Sequence, residues 1–213
     1  GGDQRNYVPL KYLARHITVG IVITPAKWYV EEGDGIPALR GVNVKPGRIV
    51  RDDLVSISRE GHAENKKSRL SAGDVVVVRT GQAGAAAVVP QDLDGANCID
   101  LILVRPGSQL DPKYLELVLN SAYAQAHVAQ EPVGSIQAHF NVGAMRQIPI
   151  PALPVEKQRA LAFKASSELD KLDTLVGRLD HQISLLAERR QSLIMDAVTG
   201  QLDVVTACQQ APA

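Results

Sequence analysis

The chain has 213 residues, 45% hydrophobic and 22% charged, enough for one full domain plus an appended element or for two small domains. These proportions are ordinary for a soluble, core-forming protein. With Lys and Arg matched against Asp and Glu at 23 each, bulk charge neither favours nor excludes a polyanionic partner. The distribution is less even: residues 1–91 carry 13 basic against 9 acidic side chains, and residues 92–213 carry 10 against 14. That mild basic bias in the first half suits a nucleic-acid face, although bias of this size also arises by chance. Cys98 and Cys208 lie far apart and make no ligand pattern, so a reducing, cytoplasmic compartment is expected. No apolar run approaches the length of a membrane span, and the opening residues lack the pattern of a signal peptide. Gly1-Gly2 in place of an initiator Met has the look of a cleavage scar, which makes a fragment one expectation.

Residues 1–153 read as a strand-rich mixed domain. Short β-branched runs at 19–24, 54–57, 74–79, 85–89 and 99–104 are punctuated by Gly and Pro at Pro25, Pro46-Gly47, Gly73, Pro90 and Pro106-Gly107. Asp111 as N-cap and Pro112 at the first position then open a helix whose apolar face is Leu115, Val118, Leu119, Ala122 and Ala126. A loop at Gly134-Ser135 and a short helix that Asn141 could cap follow. Pro149, Pro151 and Pro154 read as a stiff, extended connector.

From 154 to 200 the pattern is one long helix, closed by Gly200, with residues 201–213 as a loose tail. Leu169, Leu172, Val176, Leu179, Ile183, Leu186, Arg190, Leu193 and Ala197 recur at alternating steps of 3 and 4, the heptad rhythm of a coiled coil. Ala165, Ala162 and Gln158 extend it more weakly upstream. At 1.5 Å per residue the helix would be roughly 65–70 Å long, and no other segment could cover it. Packing on the first domain is the bland alternative; a partner helix from another chain fits the sustained 3.5-residue period better. Arg190 interrupts the series, either as a polar core position that sets register or as a stem that packs while its charge reaches solvent.

Other constellations are weaker. Gly81-Gln82-Ala83-Gly84 follows a strand but has neither the Lys-Ser/Thr of a phosphate loop nor a three-glycine fingerprint. It reads as a tight turn, or as a place where Arg79, Thr80 and Gln82 meet a phosphate or base. Lys66-Lys67 with Arg69, His62 and Asn65 reads as an irregular basic loop, either solvated or touching phosphates. Glu64-Asn65-Lys66 with Asp52 and Asp53 formally matches an acid-plus-Glu-x-Lys nuclease pattern, but its flanks offer no apolar strand to hold a metal. Ser135, Gln137 and His139 lie in a stretch dense in groups able to read base edges, where a turn with an N-cap is the simpler account. The five histidines are scattered without metal spacing, and no catalytic set emerges.

Several stretches together resemble a known family. Residues 186–203, LAERRQSLIMDAVTGQLD, resemble the end of the conserved helix in specificity (S) subunits of type I restriction–modification systems. Residues 148–158, IPIPALPVEKQ, are similar to the proline-rich approach to that helix. Residues 35–44 and 70–81 look like the family's early and central strands, in the right order. The family's usual Glu-Gln pair is interrupted here by Lys157, and a full S subunit has two recognition domains and two conserved helices where this chain has one of each.

The resemblance implies an α+β target-recognition domain and a helix that pairs antiparallel with a second one as a ruler for the unread DNA spacer. It implies a non-catalytic subunit that reads half of a bipartite site in double-stranded DNA. Methylation and cleavage would belong to partner modification and restriction subunits, which alone would use S-adenosylmethionine, ATP and Mg²⁺. A natural half-subunit would homodimerise and read a palindromic site; an excised half is the other reading. The expected DNA face is drawn from Arg40, Lys66, Lys67, Arg79, Thr80, Gln82, Ser135, Gln137 and His139. The expected dimer seam is Leu169, Leu172, Val176, Leu179, Ile183, Leu186 and Leu193. The rivals are a metal-dependent nuclease using Asp52, Glu64 and Lys66, and a purely structural coiled-coil adaptor.

Overall fold

The computed structural model describes residues 6–31, 33–129 and 140–201. In chain order the strands of the first half are β1 (Tyr7–Pro9), β2 (Ala14–Val19), β3 (Tyr29–Val30), β4 (Ile36–Leu39), β5 (Val44–Lys45), β6 (Arg48–Ile49) and β7 (Val55–Ile57). Helix α1 (Arg59–Glu64) leads to β8 (Val75–Val78), β9 (Ala86–Val88), β10 (Asn97–Cys98) and β11 (Leu101–Pro106). Then come α2 (Pro112–Asn120), α3 (Ala122–Ala129), α4 (Val142–Gln147), β12 (Pro149–Pro151) and the long α5 (Val155–Val198). The chain divides into two units, Gly1–Phe163 and Lys164–Ala213. Fold class is α+β, with a long C-terminal helix.

One sheet, ordered β2-β11-β8-β9, carries the core of the first unit. Its central pair is antiparallel, with Ile102 opposite Val77 and Leu103 opposite Val76. Successive side chains alternate faces, so Val75, Val77, Ile102 and Val104 pack with Leu115, Val118 and Leu119 of α2. Val76, Val78, Leu101 and Leu103 turn the other way, toward Leu39, Leu70 and Cys98. Burial on both faces explains why these strands read as unbroken apolar runs. A second sheet, ordered β10-β4-β7-β3, contains one parallel pair, Asn97 beside Ala38 and Cys98 beside Leu39.

Several expected elements are shifted, each for a local reason. The strand expected at 19–24 lies upstream at Ala14–Val19, paired with β11, because Thr24 takes a left-handed φ of 45° and Pro25 opens a 3-10 turn. The strand expected from Ile99 starts at Leu101, because Asp100 also has a left-handed φ, 50°. Asp111 caps α2 as expected, accepting from the Tyr114 amide at 3.0 Å, but the helix stops at Asn120. Ser121 is extended there and its hydroxyl donates to the Val118 carbonyl, so Ala122 and Ala126 belong to a separate helix. The proline connector is a strand: Pro149–Pro151 pairs antiparallel with β1, a two-stranded edge where the missing amides are tolerated. Lys66 and Lys67 sit on a 3-10 turn directly after α1, not on an irregular loop.

Helix α5 begins inside the first unit. Gln158 is 3% exposed, accepts from the Asp111 amide at 2.8 Å, and donates to the carbonyls of Gln109 and Leu153. Ala162 joins the same core as α2. These two positions therefore serve the domain's own core and not the upstream end of the heptad seam. Within the second unit, Leu169, Leu172, Val176, Leu179, Ile183, Leu186 and Leu193 are all between 47% and 66% exposed. Among the described residues, no helix is long and apolar enough to cross a membrane.

Candidate nucleic-acid interface

The parallel pair β4 and β10 ends with both chains leaving the sheet in the same direction. Arg40 follows β4, and Ile99-Asp100 follows β10, held by the Ile99 amide donating to the Leu39 carbonyl at 2.8 Å. The turn after β8 arrives at the same place. Gly81 and Gly84 take positive φ there, as a tight turn requires, and the Gly84 amide returns to the Val78 carbonyl at 2.9 Å. A pocket of about 370 Å³ results, lined by Arg40, Gly41, Val42, Lys45, Val78, Thr80, Gly81, Gln82, Ile99 and Asp100.

Three residues expected at a DNA face, Arg40, Thr80 and Gln82, therefore meet at one site although Arg40 is 40 or more positions from the other two. The Arg40 guanidinium donates to the Asp53 carbonyl at 2.8 Å, while its Nε is buried and unpartnered. Asn43 braces the same turn, accepting from the Arg40 amide at 2.9 Å and donating to the Asp52 carbonyl at 2.8 Å.

Arg79 is differently placed from its neighbours. Its guanidinium pairs with Asp100 and also donates to the Phe140 carbonyl, and the Phe140 amide returns to the Arg79 carbonyl at 3.0 Å. It is thus a brace beside the pocket, not an open cation. Lys66 and Lys67 are exposed but do not line the pocket: their turn is joined through Ser68 to Asn97, at the start of β10, whereas the pocket lies beyond its end. Ser135, Gln137 and His139 lie outside the described residues; the next residue, Phe140, is the one tied to Arg79. Lys45 and Asp100 line the pocket without having stood out in the sequence. The signal for Asp100 was available: an acid splitting the apolar run between Ile99 and Leu101.

The nuclease constellation does not assemble on a strand. Glu64 ends α1, and Asp52 and Asp53 lie on the turn between β6 and β7. Among the described residues no group of three His, Cys, Asp or Glu side chains could hold a metal. Cys98 is fully buried, and burial pushes its thiol up to about 12, far from a reactive thiolate at neutral pH.

No family model matches the chain. The specificity subunit of the type I restriction enzyme EcoBI from Escherichia coli is 20% identical over 176 residues, 79% of this chain and 36% of that protein. The StySPI specificity subunit from Salmonella potsdam is 24% identical over 180 residues, 80% of this chain and 37% of that one. The chain thus spans little more than a third of the length of these relatives. Among solved structures, a chain from a study of complex assembly and conformational transition in the type I R-M system superposes with a TM-score of 0.67 at 19% identity. That match covers 90% of this chain and 45% of that one. The HsdS subunit from Thermoanaerobacter tengcongensis gives 0.60 at 18% identity, covering 90% and 47%. In sequence the chain is similar to specificity subunits of type I restriction enzymes, and its fold is that of an HsdS subunit and of a chain from a type I R-M system.

Proposed function

We propose that this chain is a DNA sequence-recognition unit, one half of the specificity function of a type I restriction–modification complex. The observation that carries the reading is the match to specificity subunits over about four-fifths of the sequence, together with the fold shared with a solved HsdS subunit over 90% of the chain. The pocket that gathers Arg40, Thr80 and Gln82 supports it from the other side. In this reading the first unit meets double-stranded DNA, with Arg40, Lys45, Lys66 and Lys67 supplying salt-dependent phosphate affinity. Thr80, Gln82 and the stretch holding Ser135, Gln137 and His139 supply base choice. The subunit is non-catalytic and acts in the cytoplasm. Methyl transfer and cleavage belong to modification and restriction partners, which carry S-adenosylmethionine, ATP and Mg²⁺.

The exposed seam of α5 pairs antiparallel with the same helix of a second copy and sets the spacing between two half-sites. Two-fold pairing makes the target a bipartite palindrome. Light scattering over a tenfold concentration range tests the pairing: a mass of about twice 22.9 kDa supports it, and a monomer throughout means the seam waits for a different chain. Selection from a randomised duplex library at low salt tests the recognition. Enrichment of a two-part sequence is expected. Cleavage with Mg²⁺ that Glu64→Ala abolishes would instead establish the nuclease, and absence of all DNA binding the structural adaptor.

A further inference from the structure

The pocket holds one residue that a phosphate site has no use for. Asp100 lines it beside Arg40 and Lys45, and its side chain is 43% exposed. A carboxylate on that rim repels phosphate oxygens, but it is a natural acceptor for an amino group on a base edge. In the major groove the amino donors are N4 of cytosine and N6 of adenine. The rest of the lining suits a base edge as well: Val42, Val78 and Ile99 form apolar wall, and Thr80 and Gln82 carry neutral polar ends.

The backbone singles out the same residue. Asp100 is a non-glycine residue at φ 50°, a conformation that costs energy and persists only where the surroundings fix it. Here they do. The Asp100 amide donates to the Ile21 carbonyl at 2.9 Å, and Ile21 bridges Ile99. Arg79 engages Oδ1 and itself donates to the Phe140 carbonyl. One oxygen is thereby fixed, which orients the carboxylate while leaving the second oxygen available as an acceptor.

We propose that Asp100 is a base-reading residue, accepting a hydrogen bond from the exocyclic amino group of one cytosine or adenine per half-site, with Arg79 as its positioning residue. The inference rests on the DNA-recognition reading above and names a chemical contact within it. A pair serving only to tie β8 to the start of β11 would affect all DNA sequences alike.

The test takes the full chain through selection from a randomised duplex library at low ionic strength, then repeats it with Asp100→Asn. The asparagine keeps the shape and an acceptor toward Arg79. Expected is loss of preference at one position of each half-site, with the other positions unchanged. That position should be cytosine or adenine in the wild-type selection, which decides between the two amino groups. For the wild-type protein, removing that amino group from the DNA, by pyrimidinone for cytosine or unsubstituted purine for adenine, should weaken binding about 5- to 150-fold. The same replacement should cost Asp100→Asn little. An unchanged consensus with uniform loss of affinity in Asp100→Asn overturns the proposal while leaving DNA recognition standing. A wild-type protein that enriches no sequence overturns both. If the variant folds poorly, the amino-deleted duplexes still decide on wild-type protein: full affinity at every cytosine and adenine of the consensus rules the contact out.

Discussion

The first unit and the helix beyond it are built from the same kinds of apolar residue and treat them in opposite ways. Val75–Val78 of β8 and Leu101–Val104 of β11 are at most 1% exposed, covered on both faces by elements of their own unit. Leu169 through Leu193 of the seam remain about half exposed. Fully burying one such side chain contributes roughly 1.5–3 kcal/mol, so the first unit has collected that stabilisation and the helix has not. With the dimer proposed above, the difference would separate two kinds of stability: one intrinsic to the chain, the other dependent on protein concentration.

The largest effect should come from breaking the seam. Leu179 and Ile183 are exposed in the single chain; in the proposed dimer Leu179→Glu with Ile183→Glu would remove four anchors, at about 1.5–3 kcal/mol each before any charge repulsion, and should leave a monomer at all accessible concentrations. The first unit should melt unchanged. A dimer that survives both changes, judged by light scattering, would place the partner contact somewhere other than the heptad seam. The converse change lies in the core. Leu103→Ala, at a fully buried position, should lower the stability of the first unit by about 2–5 kcal/mol, independently of protein concentration. A melting temperature that tracked concentration in this variant would contradict the separation.

Gln158 tests where the boundary falls along a continuous helix. Gln158→Ala deprives the Asp111 amide of its acceptor and the Gln109 and Leu153 carbonyls of a donor. Leaving such groups unpaired should destabilise the first unit by about 1–3 kcal/mol while the dimerisation constant stays put. A matching loss of self-association in ultracentrifugation would show that the start of the helix and the seam act as one unit.

The sequence disclosed most where a single physical demand acted on neighbouring residues. Unbroken valines mark a strand buried on both faces, Asp111-Pro112 marks a helix start, and a 3-4 repeat marks a seam, because each pattern is local. It disclosed least where distant residues decide the outcome. Arg15 and His16 conceal β2, whose place is fixed by pairing with β11, nearly 90 positions later. Prolines conceal β12, which pairs with β1 near the other end of the domain. Arg40, Thr80 and Gln82 stood out as polar residues beside strand-like stretches, but it takes the parallel pairing of β4 with β10 and the antiparallel pairing of β8 with β11 to bring Arg40 to the other two. Arg79 carries no local mark of its commitment to Asp100, 21 residues away, which turns a candidate phosphate contact into a brace.

The smallest expected effect is also the finest probe of how the seam faces its partner. Gly177 sits mid-helix, one residue past Val176 and so off the heptad stripe, and a Cβ there would meet nothing within 4 Å in this chain. Gly177→Ala should therefore stabilise the helix by about 0.8–1.0 kcal/mol through backbone propensity alone. If only the stripe is covered, the gain in helicity by circular dichroism should appear equally in the dimer and in the Leu179→Glu, Ile183→Glu monomer. If Gly177→Ala stabilises the monomer but loosens the dimer, the partner backbone approaches at Gly177. The seam would then be rotated toward that glycine, wider than the leucine stripe alone indicates.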